Sequence, residues 1–200
     1  MTRTVVLASS NAGKLREINQ MLAGLDLQAL PQSQFGVPDA EETGTSFIEN
    51  ALIKARHAAR YAKLPAIADD SGIEVDYLNG APGIYSARYA GQGASDEQNL
   101  RKLLETLKDV PAQRRGARFR CAMVYVRDAE DRAPIIAQGA WEGSILDAPH
   151  GANGFGYDPV FFVPTYGCSS AELTPDVKNT LSHRGQALRA LIAALDRLYR

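Results

Sequence analysis

The chain has 200 residues, 45% of them apolar, which is enough for one substantial core and short for two independent ones. Its 22 Lys and Arg against 23 Asp and Glu leave a formal net charge of -1, without the basic surplus of a general nucleic-acid or anionic-membrane binder. Cys121 and Cys168 form no C-x-x-C, and His57, His150 and His183 have no zinc-ligand spacing, which argues for reduced thiols over a disulfide scaffold or a zinc site.

Thr4 to Ala8 is a β-branched and apolar run that predicts a buried strand. It is too short for a signal peptide, and no run approaches a membrane span, so the expectation is a soluble, cytoplasmic protein. Ser9-Ser10-Asn11-Ala12-Gly13-Lys14 follows as a small-residue loop, before Leu15, Ile18, Met21 and Leu22 recur at helical spacing. Backbone N–H groups at a helix start, with Lys14 as a point charge, suit a phosphate. The same residues also suit an ordinary helix capped by Ser10 or Asn11. A P-loop fails here: Ala8 stands where the first Gly belongs, and Leu15 replaces the magnesium-holding hydroxyl.

Leu25 to Leu30 reads as a second strand and Pro31 to Gly44 as a polar loop carrying Asp39, Glu41 and Glu42. Ser46-Phe47-Ile48-Glu49 matches a capping box, and Ile48, Ala51, Leu52, Ala55, Ala59 and Ala62 continue an apolar stripe, so a helix follows. Asn50 and Lys54, four apart, share one face of it. Ala66-Ile67-Ala68-Asp69-Asp70-Ser71-Gly72 then reads as a strand ending in a turn. Alternation sends Asp69 and Asp70 to opposite faces, and Asp70, next to the turn, is the candidate for a site. Adjacent acids at a buried strand suggest a divalent metal, although Asp and Ser also open turns for their own hydrogen-bonding reasons.

Ile73 to Asp76 alternates like a strand, and Asn79-Gly80 and Pro82-Gly83 mark turns before the loop-like Ser86-Ala87-Arg88-Tyr89. Ser95-Asp96-Glu97-Gln98 is a second capping box, opening a helix with Leu100, Leu103, Leu104 and Leu107. Arg118 to Val126 and Ile135 to Trp141 predict a hairpin, with Trp141 as a core or interface anchor. The glycines of Gly151-Ala152-Asn153-Gly154-Phe155-Gly156-Tyr157-Asp158-Pro159 allow close approach to a flat ligand with Phe155 stacking on it, or a turn whose aromatics simply pack. Val160 to Val163 reads as a strand, and Thr174-Pro175-Asp176 starts a short helix carrying Lys178. Ser182-His183-Arg184-Gly185 breaks the chain before a last helix with Leu188, Leu191, Ile192, Leu195 and Leu198 on one face. No linker or repeat divides the chain, so residues 1–200 are expected to form one domain.

Taken together, Ser-Ser-Asn-Ala-Gly-Lys, Glu-Glu-Thr-Gly-Thr-Ser-Phe-Ile-Glu-Asn-Ala, Ala-Asp-Asp-Ser-Gly, Gly-Ala-Pro-Gly-Ile-Tyr-Ser-Ala-Arg-Tyr, Gly-Phe-Gly-Tyr-Asp-Pro and Ser-His-Arg-Gly resemble, in order, the inosine and xanthosine triphosphate pyrophosphatases. The resemblance implies an α/β fold, elongated and two-lobed, with a long mixed central β-sheet flanked by helices, in a homodimer. It implies Mg2+-dependent hydrolysis of ITP, dITP and XTP to the monophosphate and pyrophosphate. Matched by motif, Ser9, Ser10, Asn11, Ala12, Gly13 and Lys14 would hold the triphosphate, and Asp70 would be metal ligand and proton acceptor. Ser71, Phe155, Gly156, Tyr157, Asp158, Lys178, His183 and Arg184 would surround the nucleotide, with Phe155 on the base. Glu42 would be a second metal contact, Asp39 or Glu41 being the competing loop acids. Ser9-Ser10 stands where relatives often carry Thr-Gly. Two other readings share these motifs: a pyrophosphatase for pyrimidine or otherwise modified nucleotides, and a nucleotide sensor without turnover.

Overall fold

The computed structural model describes residues 2–9, 12–22 and 25–199. In chain order the elements are β1 (Arg3–Leu7), α1 (Ala12–Leu22), β2 (Leu27–Pro31), α2 (Phe47–Ala62), β3 (Ala66–Val75), α3 (Asp96–Leu107), β4 (Gly116–Val126), β5 (Ile135–Ile145), β6 (Phe161–Val163), β7 (Cys168–Ser169), α4 (Pro175–Leu181) and α5 (His183–Tyr199). The strands form one sheet in the order β2-β1-β3-β4-β5-β6-β7. It is parallel across β2, β1 and β3 and antiparallel across β5, β6 and β7, the mixed α/β arrangement expected from the sequence. Among the described residues, no helix is long and apolar enough to cross a membrane.

Two compact units are distinguishable. The first comprises the chain up to Asp70, Cys121–Gln138 and the segment from Gln186 on; the second comprises Ser71–Arg120 and Gly139–Gly185. In the first, strand alternation sorts the side chains into two layers. Val5, Leu7, Ile67, Cys121, Met123 and Tyr125 pack with Ile18 and Leu22 of α1 and Ala187, Leu188, Leu191 and Leu195 of α5. Val6, Ala66, Ala68, Ala122, Val124 and Val126 pack with Ala51, Ala55, Ala58 and Ala59 of α2. Each fully buried Leu of α5 contributes on the order of 2 kcal/mol by leaving water, and its spacing of three and four residues delivers that burial to one face. In the second unit, α3 sets Leu100, Leu103 and Leu107 against Ile73, Val75, Phe119, Trp141, Tyr157 and Phe161, so Trp141 is a core residue.

Several elements differ from the sequence expectation. The run through Asp69-Asp70-Ser71-Gly72 does not end a strand: β3 continues unbroken from Ala66 to Val75 and absorbs the separate strand expected at Ile73. Asp and Gly are poor strand formers; β1 pairs with only the first two residues of β3, Ala66 and Ile67, and β4 is its neighbour on the other side of the sheet. Gly13 and Lys14 belong to the first turn of α1 rather than to a loop. His183 and Arg184 likewise open α5 instead of breaking the chain before it. The capping box at Ser95 is complete, whereas at Ser46 only half of it forms. Ser46 Oγ accepts from the Glu49 N–H, but the Glu49 carboxylate reaches one residue further out, to the backbone N–H and hydroxyl of Thr45.

Candidate active site

The two layers of the first unit decide where the adjacent acids go. Asp69 shares the parity of Ile67 and faces α1; Asp70 shares that of Ala68 and faces α2. Lys14, in the first turn of α1, places its ammonium 2.8 and 2.9 Å from the two Asp69 oxygens. On the other face, α2 projects Asn50 and Lys54 from successive turns toward Asp70. Lys54 Nζ lies 3.0 Å from Asp70 Oδ1 and 2.9 Å from Glu42 Oε1, and Asn50 Nδ2 lies 3.3 Å from Asp70 Oδ2. The Asn50 side-chain oxygen accepts the Gly44 N–H at 2.9 Å, tying the acidic loop to the start of α2. A Cβ on Gly44 would come within 2.7 Å of that oxygen, so only glycine lets the loop sit this close.

This placement separates the three loop acids. Glu42 meets the ammonium that also holds Asp70, Asp39 accepts from Gln32 at 2.7 Å, and Glu41 is exposed. Burial pushes the Asp70 carboxyl above the usual aspartate range, with the Glu42 charge adding to it, against the lowering pull of Lys54 and Asn50. Burial would lower the Lys54 ammonium, but Asp70, Asp69 and Glu42 outweigh it and hold the group charged, above its ordinary value. Asp70 and Glu42 converge on one positive charge with oxygen donors alone. That donor set fits a hard divalent cation completing its shell from phosphate and water. No group of three or more His, Cys, Asp or Glu able to hold a metal occurs among the described residues.

In the second unit, the glycine-rich loop presents Phe155, 57% exposed. The Lys178 ammonium and the Arg184 guanidinium lie 5.4 and 5.5 Å from its ring centroid, over an otherwise unburied aromatic face. Asp158 is buried and organises the loop: it accepts from the Phe155 N–H at 2.8 Å and Ser170 Oγ at 2.6 Å, and pairs with Lys178. A Cβ on Gly154, at φ +80°, would run into the Asp158 carboxylate. Tyr157 is buried, its hydroxyl donating to the Ser86 carbonyl at 2.8 Å. His183 is buried too, stacked on Phe119 at 4.8 Å.

Of the residues picked out from sequence, Asp70 and Glu42 meet at Lys54, while Phe155, Lys178 and Arg184 meet at the loop. Gly156 is partly buried in that loop. Tyr157 and Asp158 are packed inward beneath it, and His183 is buried against Phe119. Ser9 follows β1, and Ser71 sits partly exposed on β3. Ser10 and Asn11 lie outside the described residues, and Ala12 is the first residue of α1. Asn50 and Lys54 were legible as a shared helix face but not as partners of Asp70; the signal was their spacing of four. Asp96 of α3, which accepts the Gly156 N–H at 2.8 Å, was read only as part of a helix cap.

Fold and site together define an α/β protein with a largely buried centre of two carboxylates and a lysine. The model of the Ham1 family matches residues 5–194, and the chain belongs to that family. It is 59% identical to a dITP/XTP pyrophosphatase of Vibrio cholerae over 97% of this chain and 97% of the relative. It is 58% identical to the dITP/XTP pyrophosphatase of Escherichia coli K12 over 96% and 97%. A Ham1 protein structure from Coxiella burnetii matches with TM-score 0.94 at 49% identity, covering 98% of this chain and 99% of that one. The structure of a nucleoside-triphosphatase / dITP/XTP pyrophosphatase from Mycobacterium abscessus matches with TM-score 0.78 at 42% identity, covering 94% and 98%.

Proposed function

We propose that this protein hydrolyses the non-standard purine nucleotides dITP, ITP and XTP to the monophosphate and pyrophosphate, as one pyrophosphatase domain spanning residues 1–200. The observation that carries this reading is the Asp70, Glu42 and Lys54 cluster, in a chain close to 60% identical over nearly its full length to dITP/XTP pyrophosphatases. Asp70 and Glu42 would hold a divalent cation, Mg2+ in this reading, which when bound offsets phosphate charge and makes a neighbouring water more acidic.

The remaining roles belong to the chain itself. Ser9 to Lys14, with the start of α1, binds the phosphates through N–H groups and the Lys14 charge. A water attacks the α-phosphorus, Asp70 takes its proton, and the bond from the α-phosphorus to the bridging oxygen breaks to release pyrophosphate. A buried carboxyl with a raised pKa is suited to that proton acceptance. Ser71 contacts the substrate beside Asp70. Phe155 and Gly156 receive the base, with Tyr157 and Asp158 behind them, and Lys178, His183 and Arg184 supply donors. Hypoxanthine and xanthine present a 6-keto acceptor where adenine presents an amino donor, and a mismatched buried donor is strongly rejected. The working form in this reading is a cytoplasmic homodimer.

The test is a panel of ITP, dITP, XTP, ATP, GTP, CTP and UTP with separate detection of pyrophosphate and orthophosphate, with and without Mg2+. We expect Mg2+-dependent pyrophosphate release, with the first three well ahead. Orthophosphate release, or binding without turnover, overturns the activity; equal turnover of CTP and UTP overturns the purine assignment.

A further inference from the structure

The glycine-rich loop is pinned at its root, beneath and at its tip, and besides the buried Tyr157 hydroxyl on the Ser86 carbonyl, the tip contact comes from a distant part of the chain. At its root, Asn153 is tied to α4's approach: its backbone N–H donates to the Ala171 carbonyl at 3.0 Å and its Nδ2 to the Leu173 carbonyl at 3.2 Å. Beneath it, Asp158 accepts the Phe155 N–H. At its tip, the Gly156 N–H donates to Asp96 Oδ2 at 2.8 Å, from a residue 60 positions earlier in the chain.

Asp96 is the first residue of α3, and that helix does not depend on it for its cap. Ser95 Oγ accepts the Gln98 N–H at 3.2 Å, and the Gln98 side chain accepts the Ser95 N–H at 2.8 Å, so both halves of the box are made by other residues. The Asp96 carboxylate is therefore available to the loop. It grips the peptide immediately after Phe155, the residue whose face is 57% exposed and flanked by two cations. A short exposed loop with three glycines has few restraints of its own, and holding the peptide next to Phe155 restricts the backbone from which the ring projects.

We propose that Asp96 is a positioning residue for purine recognition: its carboxylate latches the Gly156 N–H and so holds Phe155 ready to stack on the base. The proposal rests on the functional reading above and deepens its account of the base. Asp96 touches no reacting atom, so its removal weakens nucleotide binding and leaves the chemical step alone.

The experiment compares steady-state kinetics on ITP with saturating Mg2+ for Asp96→Ala, Asp96→Asn, Glu97→Gln and Phe155→Ala, with helix content checked by circular dichroism. Asp96→Ala is expected to raise KM roughly three- to tenfold, the loss of one charge-assisted hydrogen bond, with kcat within about twofold. Asp96→Asn keeps an acceptor oxygen and is expected to recover most of the loss. Glu97→Gln removes the same charge from the same helical turn, where Glu97 pairs only on the surface with Arg101, and is expected to match the parent. An Asp96→Ala enzyme with unchanged KM, an Asp96→Asn enzyme as impaired as the alanine variant, or a kcat that falls while KM stays put each overturns the latch. If Phe155→Ala leaves KM for ITP unchanged, the stacking role fails, and that failure is separate from the others.

Discussion

Asp69 and Asp70 are neighbours in sequence and opposites in surroundings. Both are buried, both meet a lysine from a flanking helix, and they lie on opposite faces of β3. On the α1 face, the Lys14 ammonium sits against both oxygens of Asp69. On the α2 face, one ammonium is divided between two carboxylates, Asp70 and Glu42, and the second Asp70 oxygen has only a long contact of 3.3 Å from the Asn50 amide. Two carboxylates share the Lys54 ammonium here, and burial pushes the Asp70 carboxyl upward. On the first face one lysine grips both oxygens of one acid; on the second, two acids converge on one lysine, the oxygen-rich arrangement that suits a hard cation or a proton. The difference teaches that adjacency of the two acids carries no chemistry by itself; what matters is the face each acid occupies and the groups that α1 or α2 brings to it.

If that division is correct, the same substitution made one residue apart has unlike consequences. Asp70→Asn should lower kcat by roughly a hundred- to ten-thousand-fold, the usual worth of a positioned proton acceptor, with the far-ultraviolet spectrum unchanged. Pyrophosphate release measured under saturating Mg2+ reads this directly, and an active Asp70→Asn enzyme removes Asp70 from the mechanism. Asp69→Asn should act mainly on stability. Removing the Asp69 charge from the partly buried Lys14 is expected to cost about 1–3 kcal/mol, measured as a lowered urea midpoint, with kcat retained within about tenfold. Should Asp69→Asn silence the enzyme as completely as Asp70→Asn, the two faces do not divide the labour and the comparison fails.

Much of this architecture was legible in the residues. Ser46 and Ser95 announced the starts of α2 and α3, and the apolar stripe of α2 announced a helix with one buried face. Alternation alone predicted that Asp69 and Asp70 would part company. The continuation of β3 through four polar or small residues was not legible, because its cause is tertiary: the acids are met by lysines 55 and 16 positions away. Local propensity sees two Asp, a Ser and a Gly and expects a turn. The same limit hid Asp96, whose partner lies 60 residues on, and hid Glu49, which chose Thr45 over the helix cap by a single residue. That Glu42 meets Lys54 while Asp39 meets Gln32 needed the tertiary positions of those partners, which no spacing rule supplies.

The smallest expected effect concerns pH and separates a strained carboxylate from a relaxed one. Because burial leads in raising the pKa of Asp70, the native protein binds that proton more tightly than the unfolded chain does. The stabilisation is fully present below the unfolded value, near about 4 for aspartate, and is lost as pH rises through the higher native value. Asp70→Asn carries no such proton. In metal-free buffer, the stability of the parent minus that of Asp70→Asn should therefore decline as pH is raised from about 3.5 toward 7, followed by urea midpoints at each pH. A difference that instead grows in favour of the parent would mean that Lys54 outweighs burial. Asp70 would then behave as an ion pair dominated by its lysine, and the difference drawn between the two faces of β3 would disappear.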